Sequence, residues 1–206
     1  MSQFDLNEIN DLQFDVLKEI GNIGAGNATT ALSQMMNMKI DMGVPNVALV
    51  PLADIAGRIG SEEMIIVGIL LGMQDDINGT IMFLLNEVSA NTIVSQLMGQ
   101  APKSLQEFGE MEMSALCEIG NIISGAYLSA LSTMTNMTIS ATVPAATIDM
   151  AGAILSVPAI EYGKIGDKVL LIQTQLGEDN LLDGYIVMVP DVESYGKILN
   201  SLGIEV

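Results

Sequence analysis

A stretch of 27 residues occurs twice in this chain, and the duplication constrains the fold more than any other feature. Glu19 to Pro45 reads EIGNIGAGNATTALSQMMNMKIDMGVP, and Glu118 to Pro144 reads EIGNIISGAYLSALSTMTNMTISATVP. At a constant offset of 99, 15 of the 27 paired residues are identical. A packed core asks for apolar residues at its own positions and leaves polar ones free to differ. Here a Glu and an Asn three residues apart recur in both copies, which points to two equivalent polar sites on one chain.

The repeat extends outward on both sides. Asp5-Leu6-Asn7-Glu8 and Ser104-Leu105-Gln106-Glu107 both have the form of a capping box, a cap residue followed three later by Glu. Each half is therefore expected to open with a long helix starting near residue 6 or 105, and Asn37 and Asn136 suit its termination. Strands are expected near 39–51, 64–72 and 79–85, and again near 138–149, 168–174 and 184–189. INGT and LDGY read as the turns before the third strands. A short amphipathic helix then closes each half, with Ile93 and Leu97 matched by Ile198 and Leu202. That offset has grown by six, which places an insertion in the second half. Gln100-Ala101-Pro102-Lys103 links the halves, and 53–63 and 151–166 are less regular segments suited to short edge elements. The expected fold is α/β of the α+β type, a pseudo-two-fold internal repeat of α-β-β-β-α halves with a largely antiparallel sheet. Residues 1–206 are expected to form a single pseudo-symmetric domain, since each half is too short to bury so much apolar surface alone.

Composition removes several functions. The net charge is −18, with only seven basic residues, so nucleic acid and anionic membrane surfaces are disfavoured for want of a Lys/Arg footprint. There is no His and a single Cys, Cys117, which excludes His-dependent triads, His metal sites and CxxC chemistry. One Cys makes no internal disulfide, and the acidic N-terminus does not read as a signal peptide, so a cytoplasmic location is expected. The uncharged runs 20–38 and 119–148 are too rich in Asn, Thr, Ser and Gly to cross a membrane. The 15 Met and 4% aromatic residues read as an aliphatic, adaptable core.

At about 100° per residue, Asp15, Glu19, Asn22, Gly26 and Ser33 fall on one stripe, and Ser114, Glu118, Asn121, Gly125 and Ser132 form its counterpart. Leu17, Ile20, Gly24, Ala28, Ala31 and Met35 take the opposite, core-facing side, as do Leu116, Ile119, Ile123, Tyr127, Ala130 and Met134. A merely solvated helix face carries mixed Lys and Glu. This one holds one acid, one amide and then small neutral residues, and reads as a docking face. Gly24-Ala25-Gly26 follows no strand and lies inside a helical period, so it reads as a packing device and not as a phosphate-binding loop. Cys117 flanks the second stripe where Lys18 flanks the first, and reads as a structural thiol.

The spacing Asp/Ser, three residues, Glu, two residues, Asn, twenty-two residues, Pro is met by Asp15, Glu19, Asn22 and Pro45, and again by Ser114, Glu118, Asn121 and Pro144. In this the chain resembles the CheC/CheX/FliY family of bacterial chemotaxis phosphatases, and most closely its two-motif members; 206 residues leave no room for the switch module that FliY adds. The resemblance implies removal of phosphate from the aspartyl-phosphate of the response regulator CheY. It implies Asn22 and Asn121 as the residues that orient water, and Glu19 and Glu118 as partners of a receiver lysine, with Asp15, Ser114, Pro45 and Pro144 in support. It also implies no cofactor bound by this chain, Mg²⁺ held by CheY, and a second partner, the receptor deamidase CheD, with this chain a monomer or a heterodimer with CheD. Asp149, at the end of an uncharged run, is a candidate CheD contact. The alternative is a non-catalytic scaffold that holds CheD; no chemistry converges elsewhere in the chain to suggest a small-molecule enzyme.

Overall fold

The computed structural model describes residues 10–37, 39–40, 45–162, 168–176 and 182–203. The repeated stretches build two helices, α1 (Asp11–Met36) and α4 (Glu110–Thr135), each of 26 residues. Both start later than the sequence suggests. α1 is capped by Asn10, whose side chain accepts from Gln13 N at 3.0 Å while Gln13 Oε1 accepts from Asn10 N at 2.8 Å. The Asp5–Glu8 box lies outside the described residues. The Ser104/Glu107 box does form, but on a three-residue 3-10 turn, and α4 starts beyond it with Gly109 N donating to Glu112 Oε2 at 2.8 Å. Both helices end as expected, on Asn37 (φ 48°) and Asn136 (φ 54°) in the left-handed region.

Among the described residues seven strands form a single antiparallel sheet: β1 (Asn46–Pro51), β2 (Ile65–Asp75), β3 (Gly79–Asn86), β4 (Ile139–Ala141), β5 (Ala145–Met150), β6 (Lys168–Leu176) and β7 (Leu182–Pro190). Its order is β1-β6-β7-β3-β2, with β4 and β5 successively along the outer edge of β2. The pattern reads alike from either edge. β1 adds to the β6–β7 pair of the other half, and β5 adds to the β2–β3 pair. At the centre β3 and β7 run antiparallel, with Phe83 opposite Ile186.

Two expectations fail here. LDGY lies inside β7, not in a turn before it. The second-half strand expected over 138–149 is broken into β4 and β5 at Thr142-Val143-Pro144, because Pro144 has no N–H to continue the ladder. Thr142 holds the break by exchanging bonds with Gly72, its N–H donating to Gly72 O at 2.9 Å and its Oγ1 accepting from Gly72 N at 2.8 Å.

The α-β-β-β-α reading also omitted a helix in each half. Between the first and second strands stand α2 (Ile55–Ile59) and α5 (Ala151–Tyr162). The sequence concealed α5 because AGAILSVPAIEY has no polar face and carries Pro158, two properties that argue against an amphipathic helix. α2 and α5 cover one face of the sheet, through Ile55, Ala56, Ile154 and Leu155 against Ile66, Met82 and Leu84. α1, α4, α3 (Glu87–Met98) and α6 (Val192–Ser201) cover the other, where Ile20, Ile119, Tyr127, Ile93 and Ile198 meet Ile69, Phe83 and Ile172. β3 is buried along nearly its whole length because both of its faces are covered.

The recurring glycine after each Glu-Ile has a packing cause. A Cβ on Gly21 would lie 2.7 Å from Val47 Cγ2, and one on Gly120 would lie 2.4 Å from Ile69 Cγ2. Each long helix thus rests directly on the sheet at the residue preceding Asn22 or Asn121.

The link over 100–103 is pinned to the helices it joins. Lys103 N donates to Asn91 Oδ1 at 2.9 Å, Leu105 N to Glu87 Oε1 at 3.2 Å, and the Lys103 ammonium bonds the buried Glu112 carboxylate. That ammonium, together with the Gly109 N–H, holds the Glu112 carboxyl below its usual range. A carboxyl so lowered contributes stability above its unfolded pKa and loses it as pH falls through the folded value. Thermal melts of Glu112→Gln should therefore show destabilisation near pH 7 that narrows as pH falls below the ordinary carboxylate range; a gap that persists unchanged at low pH would contradict the ion pair's role.

Candidate functional site

The stripes become two ridges. Asp15, Glu19, Asn22 and Gly26 are exposed along α1, and Ser114, Glu118, Asn121 and Gly125 are exposed along α4. The opposite side of each helix is buried: Leu17, Ile20 and Ala28 on α1, and Leu116, Ile119, Ile123 and Tyr127 on α4. Burial of that face fixes the rotation of the helix and so aims the acid and the amide at solvent. No hydrogen bond or ion pair ties Glu19, Asn22, Glu118 or Asn121 to other described residues. Beyond each amide the surface stays low, for a Cβ added at Gly26 or Gly125 would meet nothing within 4 Å.

The ends of the stripes differ from expectation. Ser33 and Ser132 are half-buried and turn inward to bind the chain that follows the helix. Ser33 Oγ accepts from Ile40 N at 3.0 Å, and Ser132 Oγ donates to Met137 O. They anchor the helix C-terminus and take no part in the open ridge.

The two rims are chemically unequal. On α1, Lys18 stands 3.5 Å from Asp15 and 4.6 Å from the centroid of the Phe14 ring, an exposed ion pair with a cation–π contact. On α4 the same position is Cys117, half-buried, with Sγ donating weakly to Pro144 O at 3.8 Å. Pro45 and Pro144 are half-buried immediately before β1 and β5, at the entry to the two edge strands, a position that tolerates a residue with no N–H to donate. Sequence reasoning did not find the Cys117–Pro144 contact, which depends on the break between β4 and β5. The Lys18–Asp15 pair was readable from its i, i+3 spacing. Asp149 is exposed on β5, opposite Ile66, with its own Oδ1 accepting from Met150 N at 2.7 Å; it stands on an edge strand and belongs to neither helical ridge.

Among the described residues no group of three or more His, Cys, Asp or Glu side chains is placed to hold a metal ion, and no helix is long and apolar enough to cross a membrane. What each ridge offers is a Glu carboxylate and an Asn carboxamide about one helical turn apart, joined on α1 by a second acid, Asp15. An acid there can pair with a cation, and an amide can both accept and donate hydrogen bonds. The arrangement suits insertion into another molecule's cleft better than enclosure of a small substrate.

The fold and the duplicated ridge define a class of protein, and comparison with known proteins identifies it. The CheC-like family model matches residues 12–49 and again 111–148, one match on each ridge-bearing helix and the strand segment after it. The protein of Bacillus subtilis (strain 168) named CheY-P phosphatase CheC is 33% identical over 202 residues, covering 96% of this chain and 97% of that one. The crystal structure of Thermotoga maritima FliY superposes with a TM-score of 0.72 at 19% identity, covering 95% of this chain and 98% of that one. The CheX of a CheX–CheY–BeF3–Mg²⁺ complex from Borrelia burgdorferi gives a TM-score of 0.53 at 18% identity, covering 86% and 97%. This chain belongs to the CheC-like family.

Proposed function

We propose that this chain hydrolyses the aspartyl-phosphate of the response regulator CheY at two sites, Glu19/Asn22 and Glu118/Asn121. The observation that carries the reading is that all four side chains are exposed on helices whose buried faces fix their direction. The 33% identical relative named as a CheY-P phosphatase supports it.

The chemistry follows from what an acyl phosphate lacks. Its leaving group, a carboxylate, is already good, and the receiver holding it supplies Mg²⁺ and cations for the phosphoryl charge. What remains is to place a water in line with the phosphorus–oxygen bond, since phosphoryl transfer depends on positioning and electrostatics. The Asn22 or Asn121 carbonyl accepts a hydrogen bond from that water, and its NH₂ faces the phosphoryl oxygens. Water attacks phosphorus, the bond to the aspartyl oxygen breaks, and the products are free aspartate and inorganic phosphate. A carboxylate in the amide's place would be repelled by the phosphoryl group. Glu19 and Glu118 each pair with a receiver lysine and lock the docked geometry, with Asp15 and Ser114 on the rim and Pro45 and Pro144 shaping the adjoining strand.

Decay of phosphorylated CheY in the presence and absence of this chain tests the activity; no acceleration would refute it. Glu19→Lys combined with Glu118→Lys should weaken binding of phosphorylated CheY by tenfold or more, about 1.4 kcal/mol or above for a reversed charge pair. Unchanged affinity in that variant would contradict the ion-pair role.

CheD is the second partner in this reading, received at the β5 edge around Asp149 and regulating the phosphatase. Exposure of Asp149 and of its neighbour Met150 on an edge strand supports the location. Asp149→Lys should lower CheD affinity without changing the decay of phosphorylated CheY, and equal CheD binding by both proteins would remove Asp149 from the interface.

A further inference from the structure

The relation between the two ridges follows from the sheet. A two-fold operation that exchanges the neighbouring antiparallel strands β3 and β7 must have its axis perpendicular to the sheet, and such an axis leaves each face on its own side. α1 and α4, both on the same face, therefore run antiparallel. α1 lies over β1 and β6, and α4 lies over β2 through β5.

The rotation of each helix is fixed by two contacts. On α1, Gly24 abuts the Tyr127 ring of α4, its Cβ position 2.4 Å from Tyr127 Cδ1, whereas Gly21 abuts Val47 and Ile172 of the sheet. At about 100° per residue, Glu19 and Asn22 lie roughly 140° and 160° around the helix from Gly24. They face away from α4. On α4, Glu118 and Asn121 lie roughly 180° and 120° from Tyr127, and so face away from α1. Cys117, beside that ridge, touches Pro144 at the entry to β5, which places the second ridge over one edge of the sheet. Pro45 stands at the entry to β1, the opposite edge. From β1 to β5 the sheet spans five strand spacings, about 24 Å.

We infer that two receiver domains occupy this chain at the same time, one on each flank, neither excluding the other. The inference rests on the reading of the sites given above and adds their stoichiometry. A receiver of ~120 residues has a radius of gyration of about 14 Å. Two such bodies would collide over ridges that faced the same way at this spacing, but ridges turned to opposite flanks keep them apart. The chain then acts as a two-armed body, and one docked receiver leaves the second ridge open.

The test is complex mass at saturation, by native mass spectrometry or sedimentation, with CheY loaded with beryllofluoride and Mg²⁺ as a stable acyl-phosphate mimic. The expected result is two CheY per chain for the wild type, one for Glu19→Lys, one for Glu118→Lys and none for the double variant. Both substitutions fall on exposed positions, so circular dichroism should report an unchanged fold in all three variants. A wild-type complex that stops at one CheY, while each single variant still binds one, would overturn the inference and leave the assignment of both sites standing. Absence of any complex with the wild type would overturn the assignment and the inference together.

Discussion

Replacing Asn22 and Asn121 together by alanine is expected to abolish the acceleration of CheY-phosphate decay while leaving the fold unchanged. Both amides are exposed and make no bond to other described residues, so the surrounding chain loses nothing when they are removed. In the proposed mechanism the reaction loses the group that aims the water. Removing one preorganised hydrogen-bonding partner from a reacting centre commonly costs about 10²–10³ in rate, and the neighbours of each amide do not replace it: Glu19 and Glu118 are anions that phosphate repels, and Gly26 and Gly125 have no side chain. The double variant should retain affinity for activated CheY, because Glu19 and Glu118 remain. Loss of turnover with binding intact would separate positioning from docking; wild-type turnover would show that the amides are not the reacting groups. The single variants carry further information, since the Lys18–Asp15 rim on α1 and the Cys117–Pro144 rim on α4 give the two sites unequal surroundings.

The largest effect on stability is expected at Tyr127. This ring is fully buried at 0% exposure, fills the space above Gly24, and places its hydroxyl 3.4 Å from Thr174 Oγ1. Burial raises its phenol to a pKa of about 12, which keeps it neutral at any ordinary pH. Tyr127→Ala deletes an aromatic ring from the junction of two long helices, and such deletions cost about 3–5 kcal/mol. For a chain of 206 residues that corresponds to a fall in Tm of roughly 10 °C. Tyr127→Phe removes only the hydroxyl contact and should cost about 1 kcal/mol or less. A second substitution makes the argument specific to the Gly24 contact. Gly24→Ala should destabilise the wild type, because its new methyl group meets the ring, and should be tolerated or even stabilising beside Tyr127→Ala, where it enters vacated space. A double-mutant cycle reads that coupling directly, and strictly additive changes would mean that the two positions do not touch.

How much of this was legible in the sequence depends on which force set each feature. The two ridges were legible because a long amphipathic helix writes its rotation in a 3.6-residue period, and here the period was written twice. The strands β2, β3, β6 and β7 were legible within a few residues as apolar runs bounded by turn signals. The α5 helix was not, because Ala151–Tyr162 is covered on the sheet side yet has no polar outer face, and periodicity has nothing to report when both sides are apolar. Helix starts were misplaced because a capping box marks any helical turn, and Ser104/Glu107 spends its hydrogen bonds on a 3-10 turn. The roles of Ser33 and Ser132 were misread because both lie on the polar stripe by angle alone; only the return of the chain at Ile40 and Met137 shows that their hydroxyls are occupied. Strand exchange between the halves has no local signature at all, since it is decided by pairings between residues distant in the chain, such as Val50 with Val169 and Ile66 with Asp149.

The contact between Gly24 and Tyr127 has a consequence for how the two halves can pair. By the 99-residue correspondence, Gly24 is matched by Ile123 and Ala28 by Tyr127. One helix has become slight where the other has become bulky. Two copies of the first half brought together would set Gly24 against a second Ala28 and leave a gap the size of a phenol. Two copies of the second would force Tyr127 onto Ile123. Each long helix is thus shaped to fit the other and not a copy of itself, which ties the two halves to one another through a few buried positions.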